Sequence, residues 1–242
     1  MQRTCKYEEM VLEEFQEAVR RMPVFLLPTG LLEWHGDHLP LGQDTLKAYG
    51  ICLETARKLG GGIVLPAHYW GRPGFSSYVG TLTFTEGTLR PLFREIFKQI
   101  EKVGGRVLLL LTGHYGPCQV DFIKSVAAEH NATGSPLIVI AQPEYEDVEV
   151  DGQRPADHAG KWETSMFWHM YPQLTHMENF KPGAMEVPQY EDPPDYHYGE
   201  KRHWDWREDL RQVASRDLGG RAVNVITDHL KGLILAHLNK SK

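Results

Sequence analysis

The stretch Arg106-Val107-Leu108-Leu109-Leu110-Leu111-Thr112-Gly113-His114 decides the fold. An unbroken apolar run this short fits a strand buried on both faces, the form parallel strands take when helices cover each side of a sheet. Thr112-Gly113-His114 then marks its carboxyl end and places a histidine just past it. Upstream, Val24-Phe25-Leu26-Leu27 runs into Pro28-Thr29-Gly30, and Ile63-Val64-Leu65 runs into Pro66; downstream, Pro136-Leu137-Ile138-Val139-Ile140 supplies a fourth strand.

Helical spacing fills the intervals. Residues 8–21 carry Met10, Val11, Phe15 and Val19 among charges and stop near Pro23, and 44–59 stops at Gly60-Gly61-Gly62. Glu86–Val103 and residues 117–130 complete a βαβαβαβ alternation. That pattern predicts an α/β fold of three layers, αβα, around a central mainly parallel sheet that binds ligands beyond its strands' carboxyl ends. Residues 1–242 are expected to form one domain, a length common for such architectures. Beyond 141 the prolines multiply, with Pro155, Pro172, Pro182, Pro188 and the pair Pro193-Pro194. Aromatics are frequent from 162 to 206, and the segment of about 175–212 is expected to be a cap or assembly surface. A final helix from about Ser215 to Leu238 has enough apolar positions to dock on the sheet.

Hydrophobic content of 41% with 24% charged residues describes a chain that can bury a core. The net charge of -6, without a Lys/Arg run, predicts neither a nucleic-acid nor a membrane partner and favours a small-molecule substrate. Cys5, Cys52 and Cys118 are scattered and odd in number, which argues against a disulfide framework and for a reducing compartment. The amino-terminal residues lack the apolar run of a signal peptide, and a cytoplasmic location is expected.

The candidate chemistry lies in three segments. The first is Glu33-Trp34-His35-Gly36-Asp37-His38-Leu39-Pro40-Leu41-Gly42-Gln43-Asp44, which follows the first strand. Glu33 and His35, two apart, leave an extended backbone on the same face, and Asp44 opens the next helix. Carboxylate and imidazole together suit zinc, manganese or iron(II), and Asp44 has two oxygens with which to bridge two ions; taken alone, it would be an ordinary helix cap. His114 is the second element. The third is Asp157-His158-Ala159-Gly160-Lys161-Trp162-Glu163-Thr164-Ser165, with His158 at an expected helix start. Trp162, Trp168 and Tyr171 either line a pocket for a flat nitrogenous substrate or pack in the core.

From about residue 8 to 172 the chain resembles the creatininase family. The first segment is similar to its E-x-H-G-x-H-L-P-L-x-x-D, Thr112-Gly113-His114 to its N-G-H, and residues 158–165 to its H-A-G-x-x-E-T-S. The resemblance implies two divalent metal ions, zinc or manganese with iron(II) as a third option. Glu33, Asp44 and His114 would hold one ion; His35 and Asp44 would hold the other. Gly116 stands where creatininase has a glutamate ligand, and Glu163 is the expected replacement. Tyr115 matches a substrate-contacting tyrosine, and Ser77 lies in a loop similar to the family's serine-containing one. A homo-oligomer, with a hexamer as the family's tendency, is also implied, and His197 and His203 are candidates to enter a neighbour's site.

The activity so implied is hydrolysis of a C–N amide or cyclic amide bond by a hydroxide bridging the ions. His158, oriented by Asp157, would carry a proton to the leaving nitrogen, and Glu163 would complete the second metal's ligands. The rival readings are a deformylase of a formylamino-pyrimidine, a small-peptide hydrolase, and a metal-binding homologue without hydrolysis, the last favoured by Gly116.

Overall fold

The computed structural model describes residues 4–190 and 203–240. Four strands, β1 (Val24–Thr29), β2 (Ile63–Val64), β3 (Val107–Thr112) and β4 (Ile138–Pro143), form one sheet in the order β2-β1-β3-β4. Every pairing in it is parallel, and β3 pairs with β1 and β4 along its whole length. The helices are α1 (Leu12–Arg21), α2 (Gln43–Leu59), α3 (Glu86–Lys102), α4 (Pro117–Asn131), α5 (Lys161–Met170), α6 (Leu210–Val213) and α7 (Arg216–Lys240).

Alternation along the strands splits the core in two. Val24, Leu26, Val107, Leu109 and Leu111 meet α2, α5 and α7 through Ile51, Met166, Ile226 and Leu230. Phe25, Leu27, Leu108, Leu110 and Val139 face the other way, onto Phe93 and Phe97 of α3 and Phe122 and Val126 of α4. Because successive side chains of a strand leave on opposite faces, a strand apolar at every position is stable only between two helical layers. The expected αβα architecture is present, and no described helix is long and apolar enough to cross a membrane.

Two boundaries differ from expectation in ways that matter for the site. β4 begins two residues late and runs on to Pro143, so Glu144 and Tyr145 emerge at the sheet's carboxyl edge. The helix expected near His158 begins at Lys161, and the preceding residues form a turn in which Ala159 has φ 49°. Beyond the sheet edge, β5 (Gly183–Glu186) pairs antiparallel with β6 (His203–Trp206). Trp206 joins Trp34, Tyr78, Phe167 and Phe180 in a third apolar cluster that braces the Glu33–Asp44 loop. Part of the expected cap, including Pro193, Pro194 and His197, lies outside the described residues.

Candidate active site

All three segments converge at the carboxyl edge of the sheet. Glu33 and His35 follow β1, Asp44 sits in the first turn of α2, His114 follows β3, and Glu163 sits in the first turn of α5. Each of these residues is at least 97% buried. Five ionisable groups buried together would oppose folding unless something compensates them.

The geometry divides the carboxylates into two kinds. Glu33 has Oε1 tied by the Phe75 backbone N–H at 2.7 Å, while Oε2 lies 3.1 Å from His114 Nδ1. Glu163 has Oε1 tied by Lys47 Nζ at 2.6 Å, while Oε2 accepts from the Ala159 N–H and lies 3.5 Å from His35 Nε2. Asp44 has both oxygens facing inward, Oδ1 at 3.0 Å from His35 Nε2 and Oδ2 at 3.2 Å from His114 Nδ1. Glu33, Asp44 and His114 thus bring ligand atoms within 4.8 Å of one another, and so do His35, Asp44 and Glu163. Glu33 Oε2, Asp44 Oδ2 and His35 Nε2 are buried without a hydrogen-bond partner, although other donor atoms stand close by. Convergent lone pairs left unbonded are what metal ligation requires, and the carboxylate–imidazole donor set fits a divalent cation. His35 Nδ1 donates to the Glu33 carbonyl at 3.0 Å, which fixes the tautomer that leaves Nε2 bare.

Without a cation, protons take up the compensation. Burial opposes charge on His114, but the Glu33 and Asp44 carboxylates outweigh it and raise its pKa to about 10. His35 is likewise raised well above the ordinary imidazole value, with Asp44 and Glu163 overcoming burial.

His158 comes up to this cluster on the turn before α5. Its Nε2 donates to the Trp34 carbonyl at 3.0 Å, so Nδ1 carries the lone pair, and Nδ1 is 3.9 Å from Glu33 Oε2. Burial and the nearby His35 charge lower its pKa, which keeps the ring neutral and able to take a proton. Asp157 does not orient it. Its two oxygens accept from the Trp162 and Glu163 backbone N–H groups at 2.8 and 3.1 Å, and so cap α5. The ring is instead held by Trp34 and by Phe75, whose centroid is 4.6 Å away.

A cavity of about 480 Å³ opens onto the cluster, with Tyr115 and Gly116 in its wall beside Phe75, Tyr145 and Arg154. Ser77 is buried and does not line it. Trp162, expected at the substrate, points into the core with Met166 and Val148 instead. At one helical turn's spacing it shares a face with Met166, which the sheet-packing side of α5 claims. Tyr171 is also structural, its hydroxyl donating to the Leu46 carbonyl. His203 is exposed on β6. At Gly116 a Cβ would stand 2.8 Å from His114 Nε2 and 3.1 Å from the Pro73 carbonyl oxygen, so this backbone has no room for a side chain in place of the family's glutamate.

Lys47 and Glu144 escape sequence reasoning. Lys47 is fully buried, 2.6 Å from Glu163 and 2.9 Å from Glu144, and the Tyr115 hydroxyl donates to Glu144 at 2.8 Å. Burial raises the Glu144 pKa to about 7 even though Lys47 pulls it down. One signal was legible: Lys47 follows Asp44 by three residues and so shares its helix face.

The family described as Creatininase: Creatinine amidohydrolase matches residues 8–234. The chain belongs to the creatininase family. The creatinine amidohydrolase of Pseudomonas putida is 26% identical over 178 residues, covering 64% of this chain and 67% of that protein. The 3-dehydro-scyllo-inosose hydrolase of Thermotoga maritima is 23% identical over 184 residues, covering 71% of this chain and 58% of that one. A solved structure described as Creatininase Mn superposes with a TM-score of 0.70 at 22% identity, covering 96% of this chain and 97% of that chain. This creatininase-family chain therefore shares its fold with a manganese-bearing relative and its family with named hydrolases.

Proposed function

We propose that this chain is a binuclear metal-dependent hydrolase of a C–N amide or cyclic amide bond in a small nitrogenous substrate. The observation that carries the reading is Asp44, whose two oxygens face two separate ligand pairs, Glu33 with His114 and His35 with Glu163. Zinc and manganese both suit that donor set. When bound, two such cations would acidify a water and polarise a carbonyl oxygen.

The protein's own groups do the rest. Glu33 keeps Oε1 tied to the Phe75 N–H, and Glu163 is tied through Oε1 to Lys47 and through Oε2 to the Ala159 N–H, which holds the ligand frame rigid. His158 Nδ1, bare and aimed inward, takes a proton from the attacking water and delivers it to the leaving nitrogen, so that amide and water become carboxylic acid and amine. Phe75, Tyr115 and Tyr145 offer apolar walls to a flat substrate, and Arg154, the cavity's one Arg or Lys among the described residues, offers an anionic substituent a partner. Assembly as a homo-oligomer and a cytoplasmic location complete the reading.

Metal analysis of the purified protein tests it directly, beside assays of lactams, formamides and small amides with zinc, manganese and iron. About two ions per chain and amide hydrolysis abolished by Glu33→Gln are expected. A protein that takes up no metal after replete purification, or whose activity survives Glu33→Gln, overturns it.

A further inference from the structure

In the proposed reaction Lys47 only ties one oxygen of Glu163. Its ammonium is fully buried, held by Glu163 Oε1 at 2.6 Å, Glu144 Oε1 at 2.9 Å and the Tyr115 hydroxyl at 2.7 Å, and lies 4.3 Å from the Tyr115 ring centroid. A buried ammonium opposes folding unless it is fully paired, and an apolar side chain of similar length would fill the same space without that penalty. Its partners suggest what it does instead. Glu144 stands outside the candidate ligand groups and pairs with Lys47, so the negative charge of Glu163 remains for a cation.

We propose that Lys47 is a positioning residue that keeps the metal ions off Glu163 Oε1, so that Glu163 ligates through Oε2 alone and one coordination position stays open for substrate. The inference rests on the metal-dependent hydrolase reading. The physical ground is like-charge repulsion: a dication seated at Oε1 would stand beside the ammonium in a buried, weakly screened site. Glu33 Oε1 is occupied by a neutral backbone N–H for the same geometric end. At Glu163 the occupant carries a charge, and it arrives from the helix that also supplies Asp44, so α2 sets the bridging ligand and restrains the terminal one together.

The test compares the zinc-loaded wild-type enzyme with Lys47→Arg and with the paired variant Lys47→Met/Glu144→Gln, which leaves no unpaired charge at position 144 and frees Glu163 Oε1. X-ray absorption at the zinc edge, zinc titration and steady-state kinetics are read for each. In the paired variant two zinc ions still bind, and the mean number of oxygen neighbours rises by about one half per zinc, one new bond shared over two ions. Its kcat/KM falls about tenfold or more, as a position needed in the reaction fills. Lys47→Arg, which keeps the charge at Oε1, retains the wild-type oxygen count. Unchanged oxygen count and kinetics in the paired variant overturn the proposal, and so does loss of the second zinc without extra oxygen neighbours. A wild-type protein that binds fewer than two ions overturns the hydrolase reading itself, an outcome seen before any variant is made.

Discussion

A Cβ added to Gly74 would lie 1.9 Å from Glu33 Oε1 and 2.5 Å from His114 Cε1. Real Cβ atoms do not approach that closely, so the loop that donates the Phe75 N–H to Glu33 needs glycine at this point. Gly74→Ala is expected to displace Glu33 and weaken metal binding at least tenfold, a loss of about 1.4 kcal/mol or more. Metal content after dialysis against a weak chelator, with circular dichroism to check the fold, measures it; full metal retention in a folded variant counts against the assigned ligand.

Metal loading should release protons. His114, with a pKa of about 10, and His35, also raised, are protonated at neutral pH in the metal-free protein and must lose those protons to ligate. Affinity is therefore expected to rise with pH through neutrality. Titration calorimetry in buffers of differing ionisation enthalpy should show about two protons released per fully loaded chain, one from each histidine. The same shift has a sign for stability. In the metal-free protein the gain from the raised His114 pKa is fully present below about pH 6.5, the unfolded value, and is lost as pH climbs toward 10.

His158 is assigned to proton transfer and not to the metal. His158→Ala should lower kcat by about a hundredfold to ten-thousandfold while metal content stays at the wild-type level. Loss of an ion in that variant would move His158 into the ligand set, where its grouping with Glu33 and His35 offers it a place.

Asp157 caps α5 through two backbone N–H groups. Asp157→Ala should lower stability by about 0.5–2 kcal/mol, seen as a reduced denaturation midpoint. The acid-side pKa of the kcat/KM profile should stay in place, because His158 is held by the Trp34 carbonyl. A displaced profile with unchanged stability would restore Asp157 as the residue that orients the histidine.

Much of this molecule is legible along the chain. The run from Val107 to Leu111 announces a doubly covered strand because apolar residues at consecutive positions leave on both faces. Glu33, His35, Asp44 and His114 stand out because ligand types gather at strand ends, where a parallel sheet delivers its loops. Glu163, expected in place of the residue missing at Gly116, lies 3.5 Å from His35. Trp162 takes the core side of the two alternatives its type allowed, and Asp157 turns to the backbone instead of to His158. On α5 the helix turns each side chain by about 100° from the last, so Trp162 meets the core while Glu163 meets the site; Asp157, on the turn before α5, is instead taken up by the Trp162 and Glu163 N–H groups.

The sequence by itself determined the layer architecture, which follows from residue type and spacing within single elements, and it supplied the proposed ligand residues. Only the tertiary structure decided which carboxylate oxygens the protein itself holds. That Asp44 faces both ways while Glu33 and Glu163 each have Oε1 held depends on the Phe75 N–H and on Lys47, groups brought to the site from 42 and 116 positions away. Buried charges settle by pairing with whatever the fold brings within about 3 Å, and no local pattern encodes that convergence.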